Sequence, residues 1–144
     1  MGTNHPTKIT VQTVVQAPVE KVWSYWTEPK HIMKWNQASE DWHVPNAEND
    51  LRAGGKFLTR MEAKDGSMGF DFAGVYDEVE PLKWISYTIG DGRKVEITFT
   101  GQDTETKVVE TFDAENTHPV EFQQAGWQAI IDNFKKYTEQ GGND

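Results

Sequence analysis

Apolar and polar residues alternate along seven stretches of the chain, the pattern of strands with one buried face. The first stretch runs from Ile9 to Gln16. Pro45 lies inside the second, so that strand is expected to be irregular or at a sheet edge. The later stretches are Trp42–Asn49, Lys56–Ala63, Met68–Val79, Lys83–Ile89, Lys94–Thr100 and Thr106–Phe112.

Turn residues separate these strands. Gly54-Gly55 is expected to bend the chain. Asp65-Gly66 and Asp91-Gly92 are hairpin signals, because Asp-Gly suits turns with positive φ. Strands joined through such short turns pair antiparallel.

Three segments have helical spacing instead. Val19–Thr27 follows Pro18, and Pro29 ends this helix and opens a second one that runs to Trp35. The third helix, Pro119–Gln140, is long and amphipathic. Its apolar side, expected to be buried, holds Phe122, Gly126, Trp127, Ile130, Ile131, Phe134 and Tyr137.

The order of these elements predicts an α+β fold, in which a curved antiparallel sheet wraps around the long C-terminal helix. Two short helices follow the first strand. A curved sheet around a helix leaves a space between them, which is the first place to look for a ligand site. We expect one domain over residues 8–140, with disordered tails at 1–7 and 141–144.

Composition and charge narrow the classes of partner. The 144 residues include 14 Lys and Arg and 23 Asp and Glu, a formal net charge of −9. This charge disfavours a nucleic-acid partner and an anionic membrane surface. The sequence has no apolar run as long as a membrane span and no signal-peptide core, so a cytoplasmic protein is expected. Nothing predicts an apolar interface, so we expect a monomer.

The sequence contains no motif for metal, thiolate, nucleophilic or phosphate chemistry. It has no Cys, no G-x-S-x-G motif and no P-loop. None of its histidines has a partner at the spacing of a helical zinc site, so surface or turn positions are expected for His5, His31, His43 and His118. We predict no catalytic residue, no metal and no cofactor.

Four carboxylates on predicted strands are candidates for acid–base chemistry: Glu62, Asp71, Glu96 and Glu110. Charged side chains are seldom buried, so solvent-facing positions are expected for all of them. Glu96 and Glu110 could instead face the space under the helix and act there as a general acid or base. The alternation of apolar neighbours leaves both orientations open.

Aromatic residues make up 12% of the chain, including six Trp. Two structures would account for them. One is a densely packed core, and the other is a cavity lined by aromatic rings that accepts a flat apolar ligand. Gln123 lies near the middle of the apolar side of the long helix. Its amide is expected to bond a ligand, a water or a neighbouring backbone, or to cap the helix entrance.

Four stretches are similar to those of a known family. They are Ala17–Trp23 with Trp26–Pro29, Trp35-Asn36, Asp50–Phe57, and Gly126–Phe134. Together they resemble the bacterial single-domain members of the family named for the activator of heat shock protein 90 ATPase, within the START-like (SRPBCC) superfamily. The resemblance covers the chain from Ile9 to Gln140.

The resemblance implies a helix-grip fold and an internal cavity for lipids, sterols, polyketides or other apolar molecules. By resemblance, the cavity wall includes Trp35, Phe57, Phe72, Tyr87, Phe99, Phe122, Gly126, Trp127 and Ile130. Gln123 joins these candidates through its position on the helix.

Four functions follow as hypotheses. The leading one is non-catalytic binding of a small hydrophobic ligand in the cavity. The resemblance implies a second, a domain that binds a chaperone and activates its ATPase. The third is a cyclase- or hydrolase-like enzyme that uses a cavity carboxylate, and the fourth is a closed stress or housekeeping domain without a ligand.

Overall fold

One antiparallel sheet and three helices make up the fold in the computed structural model, which describes residues 7–37, 40–115 and 117–140. The strands are β1 (Lys8–Val15), β2 (Trp42–Asn49), β3 (Lys56–Ala63), β4 (Gly69–Glu80), β5 (Trp84–Ile89), β6 (Lys94–Gln102) and β7 (Glu105–Asp113). The helices are α1 (Val19–Thr27), α2 (Pro29–Trp35) and α3 (Val120–Glu139). Apart from Thr7, the predicted disordered tails lie outside the described residues.

This arrangement confirms the predicted α+β helix-grip fold, and both short helices have the predicted bounds. The largest difference is at β6, which extends past the predicted end at Thr100. Its ladder with β7 continues to the pair Gln102 and Glu105, and Asp103 closes the hairpin with a φ of 56°. The tight turn therefore needs fewer residues than the sequence pattern indicates.

The strand order is β1-β7-β6-β5-β4-β3-β2, so β1 and β2 form the edges of the sheet. The register of β2 against β3 shifts between His43 and Asn46, around Pro45. Because Pro lacks an N–H group, it interrupts the ladder at this point. Both the irregularity and the edge position of β2 agree with the sequence pattern.

Polar side chains of α3 bind the exposed edge of β1. Three of them donate hydrogen bonds to backbone carbonyl groups of alternate β1 residues: Gln124 to Thr10 at 3.3 Å, Gln128 to Gln12 at 3.1 Å, and Lys135 to Val14 at 2.7 Å. An uncovered strand edge is a template for pairing with other chains, and these bonds occupy it. The polar side of α3 therefore fixes the helix along β1.

The described helices include none with the length and apolar character needed to cross a bilayer. The prediction of a surface or turn position is wrong for His31, which lies in α2 and is buried. Its ring stacks on Tyr25, with 3.9 Å between ring centroids, and its Nδ1 lies 2.7 Å from the Tyr137 hydroxyl. These contacts give a buried imidazole both apolar and polar partners. His5 lies outside the described residues.

Candidate ligand cavity

A cavity of about 580 Å³ lies between α3 and the concave face of the sheet. The helix packs against β1, α1 and α2, and the indole of Trp127 stacks on the Phe112 ring of β7 with 3.7 Å between centroids. The strands from β5 to β2 contribute the opposite wall. Small-molecule sites typically enclose about 300–1,000 Å³, so this space is of ligand size.

Aromatic rings form the wall on the sheet side, with Phe57 at their centre. Its ring lies 4.7 Å from that of Tyr87, 5.3 Å from that of Tyr76 and 5.7 Å from that of Phe72, between centroids. Phe57 pairs with Gly74 across β3 and β4, and a Cβ on Gly74 would lie 2.9 Å from the phenyl ring. The missing side chain at Gly74 therefore lets the Phe57 ring lie over the neighbouring strand.

Exposed apolar side chains surround the mouth of the cavity. Met68, Phe70 and Phe122 all line the cavity and are 65%, 48% and 64% exposed. The prediction that Phe122 is buried is wrong, because it lies in the first turn of α3, where its ring stacks on His118 at the mouth. Helical periodicity gives the direction of a side chain but does not show where the covering sheet ends.

Gln123 joins the start of α3 to the segment that precedes it. Its Nε2 donates to the carbonyl groups of Glu115 and His118 at 3.1 and 2.7 Å, and its Oε1 accepts from the Glu115 N–H at 2.8 Å. Of the alternatives stated for this amide, the structure shows the bond to a neighbouring backbone. Gln123 thereby fixes Glu115 and His118 at the cavity wall.

A second polar connection lies on the wall beside α1. The Tyr76 hydroxyl donates to Asn49 Oδ1, and Asn49 Nδ2 donates to the backbone carbonyl group of Thr27 at 2.6 Å. Burial raises the pKa of Tyr76 well above that of a free tyrosine. These bonds connect the end of α1 with β2 and β4, and they satisfy the polar groups of Tyr76 and Asn49 that line the cavity.

The expectation that all four strand carboxylates face solvent is wrong for Glu110. It is 6% exposed and lines the cavity, whereas Glu96 and Asp71 are exposed and Glu62 is half-buried. Within the sheet Glu110 pairs with Val11 of β1 and Ile97 of β6, both buried. Desolvation by these surroundings raises its pKa to about 8. Glu110 is therefore mainly a neutral carboxylic acid at pH 7.

The Tyr87 hydroxyl also lines the cavity. Among the described residues, neither Tyr87 nor the carboxyl group of Glu110 has a side-chain hydrogen bond. Burial raises the pKa of Tyr87 well above its usual value, and the nearby Glu110 charge raises it further. The register of β5, β6 and β7 places Tyr87 and Glu110 on the same face of the sheet, on either side of β6.

The structure brings most of the predicted site residues together. Those that line the cavity are Trp35, Phe57, Phe72, Tyr87, Phe122, Gln123, Gly126, Trp127 and Ile130. Phe99 is buried outside it, with its ring against Trp23 and Trp26 of α1. The alternation along β6 correctly turns Phe99 inward, but it does not show that α1 covers this end of the strand. That these residues bind a ligand stays a prediction.

Sequence reasoning missed several residues of the wall. Tyr76 was detectable, because it alternates in phase with Phe72 along β4. Trp26 and Asn49 had no such signal, since their positions at the cavity depend on how α1 and β2 close over it. Across the described part of the chain, no three His, Asp or Glu side chains converge as a metal site would require.

Comparison with known proteins identifies the family. Residues 16–139 match the sequence model of the Activator of Hsp90 ATPase homolog 1-like protein family. The chain belongs to this family. No protein with a curated description matches it.

Solved structures of similar proteins have the same fold. An AHSA1-like protein from Aeromonas hydrophila is 45% identical, with a TM-score of 0.89 and coverage of 96% of each chain. A protein from Cytophaga hutchinsonii is 63% identical, with a TM-score of 0.81 and coverage of 92% of each chain. A protein from Nitrosomonas europaea is 19% identical, with a TM-score of 0.81 and coverage of 99% of this chain and 100% of the other. At this identity the likeness shows a shared fold alone.

Membership in the Hsp90 ATPase activator-like family fits the helix-grip architecture and its cavity, but a fold does not transfer an activity. The chaperone-binding hypothesis therefore stays a prediction for this chain.

Proposed function

We propose that the protein binds a small hydrophobic molecule, without chemical change, in the cavity between α3 and the sheet. The observation that carries this proposal is a space of about 580 Å³ enclosed mainly by aromatic and aliphatic side chains. Native cores pack at high density and leave few voids larger than a water molecule. A space of this size inside a small domain therefore needs an explanation, and a bound ligand supplies one.

The mouth supports the same proposal. Met68 just before β4, Phe70 at its start and Phe122 in the first turn of α3 offer apolar contacts to a ligand that enters the cavity. Inside, Phe57, Tyr87 and Trp127 offer ring faces and edges. Burial of apolar ligand surface is favourable by about 25 cal/mol per Å² before the cost of association.

Amide-shift mapping with a ligand panel tests the proposal. The ¹⁵N-labelled protein is titrated with a fatty acid, a sterol and the flat tricyclic hydrocarbon fluorene, which represent the proposed ligand classes. We expect at least one to shift the amides of Gly126 and Ile130 in α3 together with those of Phe57 and Tyr87 in the facing strands. Amides that stay unmoved with every probe, or shifts confined to the convex side of the sheet, would contradict the proposal.

The second candidate function is that of an enzyme, and the buried carboxyl group of Glu110 is the observation that favours it. A carboxylic acid that keeps its proton near neutral pH, inside a cavity, is suited to general acid catalysis. The test is to incubate each probe that binds with the wild-type protein and with Glu110→Gln, and to analyse it by mass spectrometry. A product formed by the wild type and not by Glu110→Gln would support an enzyme, and unchanged probes would leave ligand binding as the function.

A further inference from the structure

Glu110 and Tyr87 each place a polar group among the apolar side chains that line the cavity. Glu110 comes from β7 and Tyr87 from β5. The intervening strand β6 pairs with them through Ile97 and Val95, which are fully buried and apolar. Because cross-strand partners point to the same face of a sheet, the Tyr87 and Glu110 side chains extend from one face, on either side of β6, and both line the cavity. Neither has a hydrogen-bond partner among the side chains and backbone groups of the described residues.

The protonation states make both groups hydrogen-bond donors at neutral pH. The pKa of Glu110 is raised to about 8 by burial, and that of Tyr87 is raised well above 10. The other charged or titratable side chains that line the cavity are Glu48, Tyr76, Arg93, Glu115 and His118. The Arg93 guanidinium is paired with Asp91 at 2.8 Å, His118 is paired with Glu115 at 2.7 Å, and the Tyr76 hydroxyl is bonded to Asn49.

An O–H donor that is buried without an acceptor is costly, since it has lost its bonds to water. A carbonyl oxygen has two lone pairs and donates nothing, so it matches two neighbouring donors. A tyrosine and a protonated carboxylic acid in an apolar site can hold one oxygen atom in this way. A ligand without such an oxygen leaves both donors unsatisfied or dependent on water.

We infer that Glu110 and Tyr87 form a two-donor site for a carbonyl oxygen, so that the cavity selects flat apolar molecules with a carbonyl group at their buried end. This inference rests on the proposed ligand-binding function. It adds a chemical class to the ligand and assigns a specificity role to two residues. An amine that pairs with an ionised Glu110 is the alternative that the test below separates from it.

Three probes with one tricyclic skeleton test the inference: fluorene, 9-fluorenone and 9-aminofluorene. Dissociation constants are measured at pH 6.5 by amide-shift titration of the wild-type protein. We expect 9-fluorenone to bind about tenfold more tightly than fluorene, because it satisfies two donors that fluorene leaves unpaired. The infrared carbonyl stretch of bound 9-fluorenone is expected at lower frequency than in an apolar solvent.

Conservative variants assign the effect to the two residues. Tyr87→Phe removes the phenol O–H and keeps the ring, and Glu110→Met removes the acid and keeps an unbranched side chain. Both are expected to reduce the preference for 9-fluorenone over fluorene to about twofold or less and to shift the carbonyl stretch back. Glu110→Gln keeps an N–H donor of similar shape and is expected to retain most of the preference. Fluorene affinity shows whether each variant still has an intact cavity.

The outcomes separate the inference from the proposed function. Equal affinities for fluorene and 9-fluorenone, with an unshifted carbonyl stretch, would overturn the two-donor site and leave cavity binding intact. Tightest binding by 9-aminofluorene, lost in Glu110→Gln, would also overturn it and show that Glu110 acts as an anion. Failure of all three probes to bind would contradict both the inference and the proposed binding of flat apolar molecules.

Discussion

The indole of Trp127 lies flat on the ring of Phe112, with 3.7 Å between centroids and 13° between planes. This contact joins α3 to β7, and Trp127 also lines the cavity. Phe112 is 1% exposed, so the stack holds the helix on the sheet where the core meets the cavity. The fold of the cavity wall and the stability of the domain therefore depend on the same pair.

A double-mutant cycle measures this relationship. Phe112→Leu, Trp127→Leu and the double variant are compared with the wild type by urea denaturation. We expect a coupling free energy of about 0.5–1.5 kcal/mol, the range for aromatic pairs beyond their buried area. The control pair is Phe112→Leu combined with Trp84→Leu. Trp84 lies on the face of β5 opposite to the buried residues Ile85 and Tyr87. Additive effects of Phe112→Leu and Trp127→Leu would show that the stack adds nothing specific.

The buried carboxyl group of Glu110 gives the stability a pH dependence of known sign. Its pKa is 4.5 in a model peptide and about 8 in the folded protein, so between these values the unfolded chain releases a proton that the folded chain keeps. The contribution of Glu110 to the free energy of unfolding therefore falls as pH rises from about 4.5 to 8, by at most about 1.4 kcal/mol per pH unit.

Urea denaturation of the wild type and Glu110→Gln at pH 5 and pH 8 checks this contribution. The variant cannot ionise, so it is expected to gain stability relative to the wild type as pH rises. Glu96→Gln, on the exposed face of β6, is the matched control and is expected to follow the wild type. Parallel pH dependences of the wild type and Glu110→Gln would contradict a buried, protonated Glu110.

The contribution of Asp113 to the free energy of unfolding depends on pH with the opposite sign to that of Glu110. Burial opposes its charge, but the Lys8 ammonium at 2.7 Å and the Lys94 N–H at 2.9 Å outweigh it and hold the pKa of Asp113 below its usual value. Its contribution is present above the unfolded pKa of 3.8 and is lost as pH falls through the lower folded value. Asp113→Asn is expected to cost about 1–3 kcal/mol at pH 7 and progressively less below pH 3.

Asp41→Asn, which alters an exposed position, is the control for Asp113→Asn in the same denaturation series. An equal loss of stability for Asp113→Asn at pH 7 and pH 2 would show that the carboxylate charge is not what stabilises this end of β7.

The Phe57 ring occupies the space that a side chain at position 74 would need. A Cβ there would lie 2.5 Å from the Thr88 carbonyl oxygen and 2.9 Å from two ring carbons of Phe57. Gly74→Ala is therefore expected to lower the free energy of unfolding by about 1–3 kcal/mol, the usual cost of overpacking. Gly90→Ala, whose Cβ would meet nothing within 4 Å, is the control. Equal thermal midpoints for the two variants would contradict the close approach of Phe57 to β4.

The sequence pattern predicts the elements well because their periodicity is local. Alternation along β7 places Val108, Glu110 and Phe112 on one side, but the polarity of Glu110 favours solvent, and only the closed sheet decides between the two. Phe99 turns inward as expected, yet α1 covers it and separates it from the cavity. Phe122 has the right helical phase and is nevertheless 64% exposed. Orientation is thus predictable, whereas the position of a side chain along the cavity depends on tertiary closure.

Gly126 allows the most direct test of ligand binding in the cavity. It lies in α3 on the cavity wall, and a Cβ at this position would meet nothing within 4 Å. Gly126→Met is therefore expected to fill ligand space while the better helix propensity of Met preserves the fold. Ala125 is the neighbouring residue on the exposed side of α3, so Ala125→Met adds the same side chain away from the cavity.

The measurement is the dissociation constant of fluorene for the wild type, Gly126→Met and Ala125→Met, by amide-shift titration. Binding to the wild type and to Ala125→Met with similar affinity, and about tenfold or more weaker binding to Gly126→Met, is the result expected for a ligand under α3. Unchanged affinity in Gly126→Met, or no binding to the wild type, would contradict the cavity as the binding site.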